Sequence, residues 1–423
     1  MSTGGKDADP ESRLVQSPDS ASRDTLPGQS RGVGSTQTVH AGVPSTRPHH
    51  TLAPSIAQTA TYKFQNTADL VQYMRGEDAD SGREEYGRYG NPTVHELEQR
   101  MAALEGTADC VAFSSGMAAV TTLLLSLTKA GDHVVLFRDC YRRTRQFVTQ
   151  MLSRFGVEHT LVEPGDLQGL DRAITKQTRV VVSESPTNPY NFCVDFGEMA
   201  EICRRHGRVR TVVDATFATP YNCRPAEFGV DLVLHSATKY LGGHNDVMGG
   251  VVSGPGHLIS LLRETRGVLG GILDPHAAFL ILRGLRSLGI RMQRQNETAL
   301  AVAQALEAHP KIERVYYTGL ESHPSHAIAR RQLKGGGGIV SFVVRGGQDA
   351  ASRLIDGCQL ATIASSLGGV ETLIEQPRYM SFFELDDAGL AQVGIDPALV
   401  RLAVGVEETD DVVSDLLQAL DQV

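Results

Sequence analysis

The amino-acid sequence predicts an α/β fold: a large, mostly parallel sheet covered by helices on both faces, followed by a smaller C-terminal α+β domain. Two observations indicate this fold. From about residue 94, short runs rich in β-branched residues alternate with helical segments, which is the pattern of βαβ units. After about residue 288 the pattern changes to one long helix, a glycine run at 335–338 and a further apolar strand at 339–344.

The predicted strands of the large sheet are continuous apolar runs rather than alternating ones. Such runs are typical of parallel strands that are buried on both faces. A helix through 101–104 precedes them, and a helix over 116–127 separates the first two. The predicted strands are 110–113, 133–137, 179–183, 211–214 and 231–234.

The N-terminal segment is rich in Ser, Gly, Asp and Pro and has few large apolar side chains. Burial cannot offset the entropy that such a segment loses on ordering, so we predict a disordered tail over 1–34. Its acidic residues argue against an organellar transit peptide. We divide the rest into an arm over 35–93, a large domain over 94–287 and a C-terminal domain over 288–423.

The composition excludes several classes of protein. The chain has 423 residues, of which 41% are hydrophobic, and a formal net charge of -9. A nucleic-acid binder would need clustered positive charge. No apolar run is long enough for a membrane span or a secretory signal. We therefore predict a cytoplasmic protein with small-molecule partners and no nucleic-acid or membrane partner.

No metal site is predicted. The six cysteines contain no CxxC pair, so the sequence indicates neither a zinc site nor a disulfide framework. The pairs His49/His50 and His323/His326 come without a third ligand. We expect these histidines to be solvated loop residues and the cysteines to be reduced.

Polar residues follow several predicted strands. Ligands of parallel α/β sheets bind at the carboxyl ends of the strands, so these residues are site candidates. The segment 114–117 leads into a helix whose free N–H groups suit a phosphate, although an ordinary N-cap is the alternative. Asp214 ends another strand, where a desolvated carboxylate needs a cation such as a protonated pyridine nitrogen; the alternative is a helix cap.

Lys239 lies next to two hydroxyl residues. Ser236 and Thr238 can both bind a phosphate, and the amine of Lys239 can form an imine with an aldehyde. A lone string of this kind more often forms a turn with a solvated lysine. Asp214 upstream and the glycines downstream instead favour a site for pyridoxal 5'-phosphate (PLP). These glycines are Gly242, Gly243, Gly249 and Gly250.

The chain resembles the PLP-dependent enzymes of cysteine and methionine metabolism. The strings that carry the resemblance are SATKY at 236–240, YGRYGNPT at 86–93 and ESPTNP at 184–189. The likeness extends from about Thr38 to the C-terminus. Further strings are most similar to the plant-type cystathionine γ-synthase branch, namely DCYRRTR at 139–145, GGHND at 242–246 and LGG at 269–271.

The resemblance implies fold type I of the PLP-dependent transferases, with seven strands in the large sheet. It implies that the arm over 35–93 reaches a second subunit, where Tyr86 and Arg88 contact the cofactor phosphate. The active site would then need a dimer, and the family usually forms a tetramer of such dimers.

The resemblance also assigns the cofactor contacts. Lys239 would carry PLP as a Schiff base, and Asp214 would pair with the pyridine nitrogen. The other contacts would be Thr216 and Asn188 at the ring and its hydroxyl, and Gly116, Met117, Ser236 and Thr238 at the phosphate.

Substrate contacts are implied in the same way. Tyr141 would stack on the ring and accept a proton from the substrate ammonium, unless it is a core aromatic. Arg401, helped by Ser366, would bind the substrate α-carboxylate, unless it belongs to a surface ion pair. At least one of Arg142, Arg143 and Arg145, which follow Tyr141, would meet an anionic leaving group, and we assign Arg143 to the site. Glu85 would meet the distal ammonium of cysteine or cystathionine.

Two reactions share these residues. In γ-replacement, an activated homoserine (O-succinyl-, O-acetyl- or O-phosphohomoserine) is joined to cysteine to give cystathionine, a transsulfuration step of methionine biosynthesis. A γ- or β-lyase would instead cleave cystathionine, methionine or a related amino acid. The arginines after Tyr141 favour the synthase, whereas Ser365, where several relatives carry an acid, leaves the choice open. A non-catalytic protein and a Rossmann dehydrogenase are disfavoured, the latter because no GxGxxG follows the first strand.

Overall fold

The computed structural model describes residues 32–77, 83–207 and 209–423. Most of the predicted tail over 1–34 lies outside these residues. Its end is not a tail, because Val33 is only 1% exposed. The N–H of Val33 donates to the carbonyl of Pro220 (2.9 Å), and its carbonyl accepts from Nζ of Lys334 (3.2 Å). The predicted boundary at residue 34 therefore falls too late.

The large sheet has seven strands, as predicted. Their order is β1-β7-β6-β5-β4-β2-β3. β7 runs antiparallel to both of its neighbours, and the other pairs are parallel. The strands are β1 (Asp109–Phe113), β2 (His133–Phe137), β3 (Glu158–Val162), β4 (Thr178–Glu184), β5 (Arg210–Asp214), β6 (Leu232–Ser236) and β7 (Gly250–Gly254).

Two of these strands carry little sequence signal. β3 lies at one edge of the sheet and begins with the polar pair Glu158 and His159, so it lacks a continuous apolar run. β7 begins at Gly250, which strand propensities disfavour. The five strands predicted from apolar runs therefore lack β3 and the antiparallel β7, whereas the resemblance implied all seven.

Helices cover both faces of the large sheet. The helix predicted over 116–127 is present with those bounds, and the Ser115 hydroxyl caps it by accepting from the N–H of Ala118 (3.0 Å). The helices before the second sheet are α1 (Ser35–His40), α2 (Thr67–Met74), α3 (Pro92–Glu105), α4 (Gly116–Leu127), α5 (Arg142–Gln146), α6 (Leu167–Ala173), α7 (Phe196–Arg205), α8 (Thr219–Asn222), α9 (Gly256–Leu269) and α10 (Pro275–Leu285).

A second, five-stranded sheet forms the C-terminal α+β part. Its strand order is β10-β11-β12-β9-β8, and the long helix that precedes it begins at Leu288, as predicted. The elements are α11 (Leu288–Glu307), β8 (Ile312–Tyr316), α12 (His326–Gln332), β9 (Ile339–Val344), α13 (Gly347–Gly357), β10 (Thr362–Ile363), β11 (Leu373–Glu375), α14 (Pro377–Met380), α15 (Asp387–Val393), β12 (Leu399–Ala403) and α16 (Thr409–Asp421).

Buried polar side chains connect the two sheets. The Asn191 amide, from the segment after β4, donates to the carbonyls of Tyr316 and Ile339 (both 3.1 Å). From α11, the Arg291 guanidinium donates to the carbonyl of Tyr240 (2.8 Å), the residue after Lys239. Buried hydrogen bonds are costly to leave unmade, so they fix one sheet relative to the other.

The predicted loop histidines differ from one another. His49 and His50 are exposed, as expected. His323 is buried, and its Nε2 lies 2.9 Å from the carbonyl of Tyr190, so the prediction of a solvated residue was wrong. All six cysteines are free and five of them are buried. Among the described residues, no helix combines the length and apolar character needed to cross a membrane.

Candidate active site

A cavity of about 450 Å³ opens at the carboxyl ends of β4, β5 and β6. Adjacent parallel strands end at the same edge of a sheet, so residues distant in sequence meet there. Most of the predicted site residues line this cavity, namely Gly116, Met117, Tyr141, Asn188, Asp214, Thr216, Ser236, Thr238, Lys239, Ser366 and Arg401.

Lys239 lies just beyond the end of β6, with its amine in the cavity. Its Nζ donates to the hydroxyl of Ser366 (2.7 Å), which comes from the C-terminal part of the chain. Burial, together with the nearby charge of Arg401, lowers the pKa of Lys239 to about 8. A larger fraction of the amine is therefore neutral near pH 7, which is the form that a nucleophile or base needs.

Two carboxyl groups line the base of the cavity. Asp214 accepts from the N–H (3.0 Å) and hydroxyl (2.5 Å) of Thr216. Glu184 accepts from the N–H groups of Tyr141 (2.6 Å) and Asn188 (3.2 Å). Burial raises the pKa of both carboxyl groups, and Asp214 raises that of Glu184 further. Among the described residues, neither carboxyl group forms an ion pair. A cationic ligand at Asp214 would therefore stabilise its ionised carboxylate.

The N-terminus of α4 and the hydroxyl of Ser236 form one cradle. A Cβ on Gly116 would lie 2.9 Å from the Cβ of Ser236 and 3.0 Å from its Oγ, so only glycine permits this approach. The first N–H groups of a helix have no partner within the helix and suit an anion. Thr238 is held nearby, since its Oγ1 accepts from the N–H of Gly249 (3.1 Å).

Arg401 enters the cavity from the second sheet. It is 5% exposed, and its Nη2 lies 3.0 Å from Oε1 of Glu375 and donates to the carbonyl of Ser366 (2.8 Å). Its Nη1 donates to the side-chain oxygen of Asn188 (3.3 Å), while its Nε is buried and finds no hydrogen-bond partner among the described residues. Arg401 is therefore not part of a surface ion pair.

Tyr141 lies on the open side of the cavity. Its side chain is 43% exposed, which excludes the alternative of a core aromatic. The residue precedes α5, and the bond from its N–H to Glu184 fixes its backbone.

Four predicted residues do not line this cavity. Tyr86 and Arg88 line a separate pocket of about 300 Å³, where Arg88 donates to the carbonyl of Gly267 (2.8 Å). Arg143 is exposed and donates to the side chain of Gln146 (2.6 Å). Glu85 is also exposed and lies outside the lining.

Arg142 and Arg145, rather than Arg143, lie beside the site. They line a cleft of about 350 Å³ that shares Tyr141, Asn188 and Glu375 with the cavity. Arg142 lies 3.6 Å from an exposed carboxylate, that of Glu384. Both guanidinium groups therefore border the path from solvent to Tyr141.

Two acidic residues of the site were not predicted. Glu184 ends β4, so the rule that selected Asp214 would also have selected it if the strand had been extended by one residue. Glu375 lies on the three-residue strand β11, which is too short to give a periodic signal. Both line the cavity.

The cavity fits PLP, the cofactor that the sequence resemblance implies. The uncompensated carboxyl group of Asp214 suits a cationic ring nitrogen, and the cradle of Gly116 and Ser236 suits a phosphate. The amine of Lys239, with its lowered pKa, lies in the same cavity.

Comparisons with known proteins agree with this site. A model of the Cys/Met metabolism PLP-dependent enzymes matches residues 35–421. Cystathionine gamma-synthase 1, chloroplastic, of Nicotiana tabacum is 45% identical over 369 residues, which cover 87% of this chain and 68% of that protein. L-methionine gamma-lyase of Fusobacterium nucleatum is 40% identical over 394 residues, covering 93% and 98%. The crystal structure of metB from Corynebacterium glutamicum superposes with a TM-score of 0.85 at 36% identity, covering 93% of this chain and 98% of that one.

Proposed function

Because the chain belongs to the PLP-dependent enzymes of cysteine and methionine metabolism, we propose that it catalyses γ-replacement. An activated homoserine (O-succinyl-, O-acetyl- or O-phosphohomoserine) reacts with cysteine to give cystathionine, and two plant relatives are named cystathionine gamma-synthase 1. The observation that carries the proposal is the cleft beside Tyr141, where Arg142 and Arg145 suit an anionic γ-substituent.

Different cavity residues bind the substrate and transfer its protons. Bound PLP makes the substrate Cα proton acidic by accepting electron density. Tyr141 removes a proton from the incoming ammonium, and Arg401 holds the α-carboxylate. Lys239 then moves protons at Cα and Cβ, and Ser366 orients its Nζ through the 2.7 Å hydrogen bond. Departure of the γ-substituent leaves a site for the thiol.

The same cavity supports a proposal for the cofactor contacts. Asp214 pairs with the ring nitrogen, and Thr216 holds that carboxylate in place by two hydrogen bonds. Asn188 contacts the ring hydroxyl. The α4 N-terminus at Gly116 and Met117 and the hydroxyls of Ser236 and Thr238 would hold the phosphate.

A second subunit completes the cavity in this proposal. Tyr86 and Arg88, on the arm over 35–93, contact the phosphate bound by the partner, and the dimers pair into a tetramer. Arg88 lies 5.5 Å from the ring centroid of Tyr86 and bonds Gly267, so the arm presents both side chains in a fixed position. The adjacent Val268 is 84% exposed, as expected of a surface that a partner covers. Glu85 then faces the amino group of the second substrate.

We infer a cytoplasmic location for the enzyme. The tobacco relative, in contrast, is named as chloroplastic. Fractionation of the source cells would decide between the two locations.

Product analysis tests the reaction. The holoenzyme is incubated with each activated homoserine, with and without cysteine, and we expect cystathionine only when both are present. Release of 2-oxobutyrate and ammonia alone would contradict the proposal. Arg142→Gln and Arg145→Gln should raise KM for the succinyl and phosphoryl esters but not for the uncharged acetyl ester. Arg143→Gln is the matched control, since Arg143 does not line the cleft.

A γ-lyase remains the second candidate function. The 40% identity to L-methionine gamma-lyase of Fusobacterium nucleatum favours it, because the cavity residues serve both reactions. This function predicts turnover of methionine or cystathionine without any thiol acceptor.

A further inference from the structure

Arg401 already has a carboxylate partner inside the cavity. Its Nη2 lies 3.0 Å from Oε1 of Glu375, and the two side chains are 5% and 3% exposed. They occupy paired positions of β11 and β12, so the sheet itself holds them together. Glu375 also lines the cavity, beside Lys239.

A substrate α-carboxylate must share this guanidinium with Glu375. Ser366 and Asn188 already accept from Nη2 and Nη1, which leaves the buried Nε without a partner. Two carboxylates at one guanidinium repel each other strongly where little water can screen them. Burial raises the pKa of Glu375, although Arg401 and Lys239 oppose that shift, so the acid is already poorly compensated before a ligand binds.

We propose that Glu375 is a specificity-determining residue that competes with ligand carboxylates for Arg401 and so selects amino acids over plain carboxylic acids. The inference rests on the proposed role of Arg401 as the carboxylate site. An amino acid brings a cationic nitrogen into the same cavity and offsets the charge of Glu375. A plain acid, including a 2-oxo acid, brings only negative charge and is disfavoured.

Binding of butanoate to the holoenzyme tests the inference without turnover. Its dissociation constant is measured by calorimetry for the wild type, Glu375→Gln and Glu375→Asp. Glu375→Gln removes the competing charge and should tighten binding by about tenfold. Glu375→Asp keeps the charge on a shorter side chain and should give an intermediate constant. Binding of 2-aminobutanoate should change less than that of butanoate in both variants.

The matched control is Glu408→Gln, which removes an exposed carboxylate 3.1 Å from Arg294 in the same part of the chain. It should leave butanoate binding unchanged. If Glu375→Gln weakens butanoate binding or leaves it unchanged, while Arg401→Lys abolishes it, Glu375 only positions Arg401 and the inference fails alone. If butanoate binding does not depend on Arg401, both the carboxylate site and the inference fail. The proposed γ-replacement reaction is tested separately, by product analysis.

Discussion

The carboxyl groups of Glu184 and Asp214 occupy paired positions on the parallel strands β4 and β5 and line the same cavity. Each accepts hydrogen bonds from N–H or O–H donors and forms no ion pair within the described residues. Two such groups side by side in a buried site cannot both ionise at low cost, so burial raises the pKa of both and Asp214 raises that of Glu184 further.

Replacing Glu184 tests its effect on the residues above it. Its two oxygens accept from the N–H groups of Tyr141 and Asn188, and an amide can accept with only one atom. Glu184→Gln should therefore cost about 1–3 kcal/mol and weaken PLP binding. Melting temperature and equilibrium dialysis of PLP measure both effects. Glu158→Gln, at an exposed strand residue, is the control; an equal loss there would contradict the specific role.

Lys239 should destabilise the cofactor-free protein. Burial lowers its pKa to about 8, from 10.5. The unfolded chain therefore binds more protons than the folded one between pH 8 and 10.5, and stability rises with pH across that window. Lys239→Met should raise the free energy of unfolding at pH 7 by up to about 3 kcal/mol.

The gain in the Lys239→Met protein should vanish above the ordinary lysine pKa, where both states are neutral. Denaturant unfolding of the cofactor-free protein at several pH values checks this. The same change at the exposed Lys129 should have little effect at any pH. A gain that does not vary with pH would show that packing, rather than charge, is responsible.

His95 should make stability depend on pH in the opposite sense. Burial disfavours its charge, but hydrogen bonds to Glu84 (2.5 Å) and Glu98 (3.1 Å) outweigh burial and raise its pKa to about 9. The stabilisation is complete below pH 6.5 and is lost as the pH rises through 9. His95→Gln should lower the melting temperature at pH 6.5 and not at pH 9.5. The control is exposed His257→Gln, which should show no such convergence.

Mixed dimers test whether the arm completes the partner's cavity. Lys239→Ala and Arg88→Ala should each inactivate the enzyme. Refolded together, they should recover about one quarter of the wild-type activity, because each hybrid dimer holds one intact site.

A mixture of Lys239→Ala with Asp214→Ala is the matched control for complementation. Both residues line one subunit's cavity, so every hybrid site lacks one of them and no activity should return. Equal recovery in the two mixtures would rule out the shared site.

Sequence reasoning identified the part of the site that lies on the large sheet. Asp214 and Lys239 follow strands with clear apolar runs, and parallel strands bring their ends together. Glu375 could not be found in this way, because its place depends on how the second sheet docks on the first.

The structure places Arg142 and Arg145, rather than Arg143, at the cleft beside Tyr141. Arg142 and Arg145 are three residues apart and lie on the same face of α5, whereas Arg143 points elsewhere. The segment was not assigned as a helix from the sequence, so the periodicity that separates these residues was not applied.

The hydrogen bonds from Asn191 to Tyr316 and Ile339 have a consequence for the evolution of the site. Lys239 follows a strand of one sheet and Arg401 lies on the other, so the spacing between amine and guanidinium depends on these remote contacts as well as on Ser366, which bonds both residues. Substitutions at this remote junction would change which chain lengths are accepted while every cavity residue stayed the same. Homologues with identical cavities can therefore diverge in substrate preference, and a comparison restricted to lining residues would miss the cause.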